Sequence, residues 1–530
     1  MDAISAVQLL LLPAGALAVA GLARRLNLSA PLLLVLAGLV VSVIPGVPEY
    51  SLSPEIVLFV FLPPLLYSAA LDSSYLRLRD VKRPVMLLSV GLVLFSMLAI
   101  GLTAYALIPG LALAAALALG AIVAPPDAVA AAAIGRKLGL PRRPMTVLIG
   151  ESLFNDATAL TAYRVAVGAL AGVSAGFLSA AGQFAYAAGV GLLIGMVLAY
   201  LASRLLTRIG DALVANAFSL MIPYAAYLAA EVVHASGVIS VVVVGIYLGH
   251  QMSNTSYGTR LLSRAVWQVV DFLLESIVFA LIGLQLLVVV RGLHGQNPWQ
   301  VAGYAIALFA VTVLSRLAWL VPGTYLPRVV SKKIRSSETQ VPWQHVAVVG
   351  WAGMRGVVSL AAAFALPKEN LPQRDLLLFL TFAVVIGTLV VQGLSFPWLI
   401  RKLGVSNEQE RFQDDLTEAA AQQAAAAAGL ARLEELVAEE GVLEVHQQVV
   451  DQLRTRSERA ALQAWERLGG GTGPEGEETP ATVYRRLRRE MLAAERQVFI
   501  RLRDQRRIDD EVLRRVMADM DFEEATLERD

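Results

Sequence analysis

Cysteine is absent from all 530 residues, so disulfides, thiolate metal sites and cysteine nucleophiles are excluded. Charge is scarce: Asp, Glu, Lys and Arg make up 16% of the chain, against roughly 25% in a soluble protein. Histidine occurs five times and never as HExxH, and there is no Walker A loop. ATP-driven transport and zinc-dependent hydrolysis therefore lack their chemistry. Apolar residues are abundant instead, at 56%, with a mean hydropathy of +0.61. That balance belongs to an all-α polytopic membrane protein rather than to a soluble enzyme or a disordered scaffold.

The net charge of +1 conceals two unlike parts. Residues 1–404 hold 26 Lys and Arg against 15 Asp and Glu, whereas residues 405–530 hold 18 against 28. Runs of bilayer length, ~20 apolar residues each, predict about 13 transmembrane helices. They lie within a transmembrane domain at 1–402, followed by a cytoplasmic helical tail at 403–530. The first run has no basic flank before it and reads as a span rather than a cleavable leader. Of the 26 cations, 20 follow odd-numbered spans, from Arg24 and Arg25 to Arg401 and Lys402, and only Arg291, Lys368 and Arg374 follow even-numbered ones. The positive-inside rule then puts the N-terminus outside and the C-terminus in the cytoplasm.

Two spans carry helix breakers beside an ionisable residue. The fifth contains Ala124-Pro125-Pro126-Asp127, where two prolines remove backbone donors. The twelfth contains Gly350-Trp351-Ala352-Gly353-Met354-Arg355-Gly356. Backbone freed at membrane depth is tolerated only where protein or a wet cavity satisfies it. Two interrupted spans of opposite orientation form the pattern of a secondary transporter built from inverted repeats, with its site where the broken helices cross.

The sixth span opens Gly150-Glu151-Ser152-Leu153-Phe154-Asn155-Asp156. Ser152 and Asp156 stack at i,i+4, as do Glu151 and Asn155, while Glu151 and Asp156 point ~140° apart. Arg355, always cationic, needs a buried partner, and Glu151 is the expected one, as a structural ion pair. Asp127 and Asp156 are then left without assigned cations. Taking a carboxyl out of water favours its protonated form, and once ionised it is a hard oxygen ligand for an alkali cation. A single carboxylate that takes either a proton or a cation suffices for antiport. Asp127 can also cap the second half of its broken helix. Arg164 and Arg316 read as snorkelling or interhelical cations. Asp271 and Glu275, at i,i+4 near the cytoplasmic start of the tenth span, read equally as funnel acids or span anchors. Glu231 and His234 fall at an outer end.

Four segments carry a resemblance: FLPPLLYSAALD (61–72), GAIVAPPDAVAAAAI (120–134), LIGESLFNDATALTAYRVAV (148–167) and GWAGMRGVVSLAAAFALP (350–367). They resemble the sodium/proton exchangers of the monovalent cation:proton antiporter-1 family, most closely its bacterial branch. The resemblance implies thirteen spans, a homodimer in the plasma (inner) membrane, crossed broken helices and elevator-like alternating access. It implies an ion site at Asp127 and Asp156 for Na+, or for Li+ or K+, in exchange for H+, with no cofactor. Ser152 would be a further ligand, Asn155 a neutral organising residue, and Glu151 with Arg355 a structural pair. The Asn-Asp order at 155–156 resembles electroneutral exchangers. Ser68 stands where some archaeal relatives have a glutamate, and Pro126 where a threonine often precedes the aspartate, so the ligand set is expected to be poorer in oxygen. A K+/H+ exchanger and a cation channel are the rival readings.

The tail is Ala-, Gln- and Glu-rich over 407–468, with Leu430, Leu433 and Leu436 at helical spacing. A Gly- and Glu-rich stretch at 469–480 reads as a flexible linker. Residues 481–528 form a second amphipathic region, with Tyr484, Leu487, Met491 and Leu492 as its apolar stripe. Arg485, Arg486, Arg488 and Arg489 suit anionic lipid or a helix laced with ion pairs. The acidic balance argues against nucleic acid, and no tail partner is legible.

Overall fold

Apolar segments that must satisfy their own backbone become helices, and all the regular structure among the described residues is helical. The computed structural model describes residues 3–26, 29–44, 57–170, 177–293, 295–332, 336, 341–367, 371, 373–440, 447–468, 480–505 and 507–529. The stretch at 469–479, expected as a linker, lies outside them. The chain divides into two compact units, Met1–Ser406 and Asn407–Asp530.

The first unit contains sixteen described helices by our numbering, besides a single 3-10 turn at Met252–Asn254. They begin with α1 (Ala3–Arg25), α2 (Ala30–Ser42), α3 (57–71), the short α4 (Tyr75–Asp80) and α5 (Lys82–Leu107). The two parts of one interrupted helix follow, α6 (Leu113–Val123) and α7 (Ala128–Lys137), then α8 (Arg142–Leu170), α9 (Phe177–Arg208), α10 (Ala212–Glu231) and α11 (Gly237–Gln251). After α12 (Tyr257–Arg291) and α13 (Pro298–Val330) comes the second interrupted pair, α14 (Trp343–Trp351) and α15 (Val357–Phe364), and α16 (Arg374–Lys402) ends the unit. Six helices, α5, α9, α10, α12, α13 and α16, are each long and apolar enough to cross a bilayer.

Buried alanines and glycines let these helices approach closely. Where α2 crosses α12, a Cβ on Gly38 would stand 2.9 Å from the Gly283 Cα, so only two glycines permit that contact. Membrane helices associate through such packing, because burial from lipid supplies no hydrophobic gain. The largest core cluster joins α6 to α8, α13, α14 and α16, which surround the two breaks.

The second unit consists of α17 (Glu408–Glu440), α18 (Gln447–Leu468), α19 (Pro480–Asp504) and α20 (Asp510–Arg529). The expected stripe on α19 is corrected: Leu492 is buried with Met520 and Leu527, while Tyr484, Leu487 and Met491 are exposed. Leu492 packs with Phe499 rather than with residue 491, because α20 lies against the neighbouring face. Arg488 sits on that face and donates to both carboxylate oxygens of Glu523, at 2.7 and 2.8 Å, and to Glu495 at 2.9 Å. The guanidinium holds the Glu523 carboxyl below the usual glutamate range. Arg496 joins α19 to α20 in the same way through Asp521 and Glu524.

Candidate ion-binding site

The two helix breaks fall at Pro125-Pro126 and at residues 352–356, and they touch. The Asp127 amide donates to the Met354 carbonyl at 2.7 Å, so each unwound strand supplies a partner to the other. Asp127 itself caps α7: its Oδ1 accepts from the Val129 amide at 2.8 Å, the helix-start geometry that aspartate favours. Gly356 packs directly on that side chain, where a Cβ would come within 2.5 Å of the Asp127 Cγ. Gly356→Ala is therefore expected to displace Asp127 and cut exchange well below half of wild type, measured in vesicles at matched protein content. Gly356 has an extended backbone, so the demand is for space and not for unusual torsions.

The carbonyls freed by the breaks are met by side chains rather than left bare. Asn155 Nδ2, fully buried on α8, donates to the Pro126 carbonyl at 2.6 Å. Arg355 donates to the Val123 carbonyl at 3.0 Å, to the Ala124 carbonyl at 3.2 Å and to the Gly353 carbonyl. Its own amide donates to Thr388 Oγ1 at 3.0 Å. Arg355 thus places a cation at the C-terminal, electronegative end of α6, where it suits the helix dipole.

This corrects the expected Glu151–Arg355 pair. Both oxygens of Glu151 are taken by Arg316 of α13, at 2.5 and 2.8 Å, with the two side chains about 1% exposed. Arg316 also donates to the Val349 carbonyl at 3.0 and 3.2 Å near the end of α14. A bidentate fork between planar groups is the strongest form of such a pair. Arg316 carried a signal in the sequence, being a charge in mid-span, but its partner was not legible there. Arg164 is likewise interhelical, donating from α8 to both oxygens of Glu231 at 2.8 and 3.0 Å. His234 follows α10 with a positive φ of 56° and is exposed.

A cavity of about 230 Å³ brings most of the sequence-predicted residues together. Asp127, Ser152 and Asp156 line it together with Pro125, Pro126 and Gly356. Asp156 is only 7% exposed and makes no hydrogen bond among the described residues. Asn155, Glu151, Gly353 and Arg355 do not line the cavity but stand behind its wall, positioning the backbone around it. Ser359, which the sequence reading did not single out, also lines it, with a buried hydroxyl that has no hydrogen-bond partner among the described residues. The cavity continues past Ser68, Asp271 and Glu275 to Asp72 and Arg136, which are exposed. A buried, unengaged carboxylate beside a second carboxylate, in a largely apolar cavity that reaches the surface, can bind a hard cation or a proton.

Residues 14–402 match the family model described as the sodium/hydrogen exchanger, transmembrane. The chain belongs to that family. The exchanger is 33% identical over 520 residues to a Na+/H+ exchanger of Mycobacterium tuberculosis described as uncharacterised, covering 96% of this chain and 93% of that one. It is 35% identical to the Na+/H+ antiporter ApNhaP of Aphanothece halophytica over 381 residues, 71% of this chain and 70% of that one. Its fold is similar to that of the sodium proton antiporter MjNhaP1 from Methanocaldococcus jannaschii, with a TM-score of 0.59 and 19% identity over 76% of this chain and 99% of that one. The family expected from the four motifs is thus the one found, a family of secondary transporters.

Proposed function

We propose that the exchanger moves one cytoplasmic Na+ out for each external H+ taken in, by alternating access in the plasma membrane. The observation that carries this reading is Asp156: nine-tenths buried, without a hydrogen bond among the described residues, and lining the cavity beside the touching helix breaks. Asp127 assists from the cap of α7, with Ser152 as a further ligand. Asn155 adds no charge and holds the Pro126 carbonyl. One exchanging carboxylate carries one positive charge in each direction, which makes the cycle electroneutral.

The cycle follows from electrostatics. Outward-facing Asp156 takes a proton, the domain carrying the two breaks moves in an elevator-like step, the proton leaves inside, and Na+ binds for the return. A bare buried carboxylate is costly to move through the membrane, and that cost enforces coupling. Thirteen spans, an external N-terminus, a cytoplasmic tail and a homodimer complete the reading. The distribution of Lys and Arg supports the orientation. Under that orientation Asp72 and Arg136, at the mouth of the cavity, lie on the cytoplasmic side, so this conformation is inward-open.

The cation is Na+ in this reading, in line with the names of the Mycobacterium and Aphanothece relatives. A broader choice is supported by a Bacillus subtilis relative, 28% identical over 392 residues, named a sodium, potassium, lithium and rubidium/H+ antiporter. Proteoliposomes loaded with a pH dye decide between these. NaCl is expected to drive proton movement that is indifferent to a voltage clamp. A response confined to KCl would change the cation, and none with any cation in vesicles holding folded protein would sink the antiport reading.

A further inference from the structure

On α3 the chain carries Ser68, and the resemblance implies that Ser68 and Pro126 leave the ligand set poorer in oxygen. In the structure another helix brings a carboxylate to the same place. Ser68 Oγ donates to Asp271 Oδ2 of α12 at 2.5 Å, across 203 residues of chain. The other oxygen, Asp271 Oδ1, is buried with no hydrogen-bond partner among the described residues. Asp271 lines the cavity that holds Asp127 and Asp156, and so do Ser68 itself and Glu275. Two further side chains in that cavity are more than nine-tenths buried and without a hydrogen bond among the described residues, Asp156 and Ser359.

The arrangement has a direction. Asp72, at the end of α3, is exposed at the mouth. Asp271 and Glu275 follow on one face of α12, one helical turn apart, ~6 Å along the axis. Asp127 and Asp156 stand at the buried end. Five of the six charged side chains lining the cavity are carboxylates, Arg136 at the mouth being the sixth, and an acidic balance of that kind concentrates counter-cations. A carboxylate held by a single hydroxyl keeps an oxygen for a passing hard cation, whereas a carboxylate closed by a bidentate arginine, as at Glu151, does not.

We propose that Asp271, tethered by Ser68, is a cation-loading carboxylate that hands Na+ inward by way of Glu275 to Asp127 and Asp156. The assignment rests on the antiport reading and adds to it a binding station outside the exchanging pair.

The test is kinetic, in Na+-driven proton movement by the full chain in proteoliposomes, with thermal unfolding of each purified variant alongside. Asp271→Asn keeps an acceptor for Ser68 and removes only the charge. It is expected to raise the apparent KM for Na+ about tenfold, with the maximal rate within about twofold of wild type and melting unchanged, the pattern of lost ground-state binding. Ser68→Glu in the Asp271→Asn background returns a carboxylate from α3 and is expected to restore most of the affinity. Ser68→Ala, which leaves the charge but frees it, is expected to raise KM about threefold. This variant decides the matter should Asp271→Asn fail to fold. A wild-type KM in Asp271→Asn, or a wild-type KM in Ser68→Ala together with a collapsed Asp271→Asn, would overturn the proposal and leave Asp271 a span anchor. Wild-type protein that moves no protons would instead overturn the antiport reading itself, so the two failures are distinguishable.

Discussion

Asp156→Asn is expected to bring cation-driven proton movement down to the level of protein-free vesicles while the purified protein melts like wild type. The amide has the shape of the carboxyl, but it neither takes up a proton in this pH range nor offers a negative charge to a cation. Both half-reactions of exchange therefore fail together. Melting is spared because the Asp156 carboxylate makes no hydrogen bond to the protein among the described residues, so the amide leaves no donor unsatisfied. Asp127→Asn provides the contrast. Asparagine caps a helix about as well as aspartate, so the α7 start survives, and exchange falls without reaching background. Equal residual exchange in the two variants would show that the carboxylates share the task and would remove Asp156 from its leading role.

Removing Arg316 is expected to produce the largest loss of stability in the protein. Arg316→Ala leaves Glu151 about 1% exposed with no cation on its oxygens and deprives the Val349 carbonyl of both its donors. Stripping one partner from a buried ion pair costs about 3–5 kcal/mol, because the remaining charge is left uncompensated. The expected readout is a markedly lower melting temperature and poor recovery from detergent. Replacing the pair together, as Glu151→Gln with Arg316→Met, is expected to recover most of the stability, since a buried pair is worth little against a neutral filling of similar volume. Arg355→Ala is expected to be milder, because Arg355 forms no ion pair among the described residues and its loss leaves neutral carbonyls rather than a buried charge unmet. A double variant no more stable than Arg316→Ala would mean that Arg316 acts through the α14 carbonyl rather than through Glu151.

Much of this site was legible in one dimension. Two prolines before an aspartate can only interrupt a membrane helix, and a freed backbone at that depth must be compensated, so the break at 124–127 and the capping of α7 by Asp127 follow from local chemistry. The same holds for the glycines around Arg355 and for the i,i+4 stacking of Ser152 on Asp156, which share the cavity wall. The four motifs led to the family that the comparisons then found. The limits appear at Tyr484, Leu487 and Met491. A helical stripe is correctly periodic there, yet the partner α20 covers the adjacent face at Leu492 and Phe499. Periodicity states that a face exists and leaves open which of two neighbouring faces is covered.

The sequence by itself determined that Glu151, Arg164, Arg316 and Arg355 fall within membrane spans, where the cost of an unpaired charge in hydrocarbon demands a partner or an escape to the interface. Only the tertiary structure decided which partner each one has. Arg355 reads in the sequence as the partner of Glu151 and Arg316 as a snorkelling or interhelical cation, but α13 brings Arg316 to both oxygens of Glu151, while Arg355 lies within reach of the α6 carbonyls instead. The same holds for Ser68, whose hydroxyl meets Asp271 from 203 residues away. Energetics sets the demand residue by residue. Which group meets it depends on the depth and rotation of whole helices, and these are settled by packing contacts such as the one between Gly38 and Gly283, which no spacing within a single segment encodes.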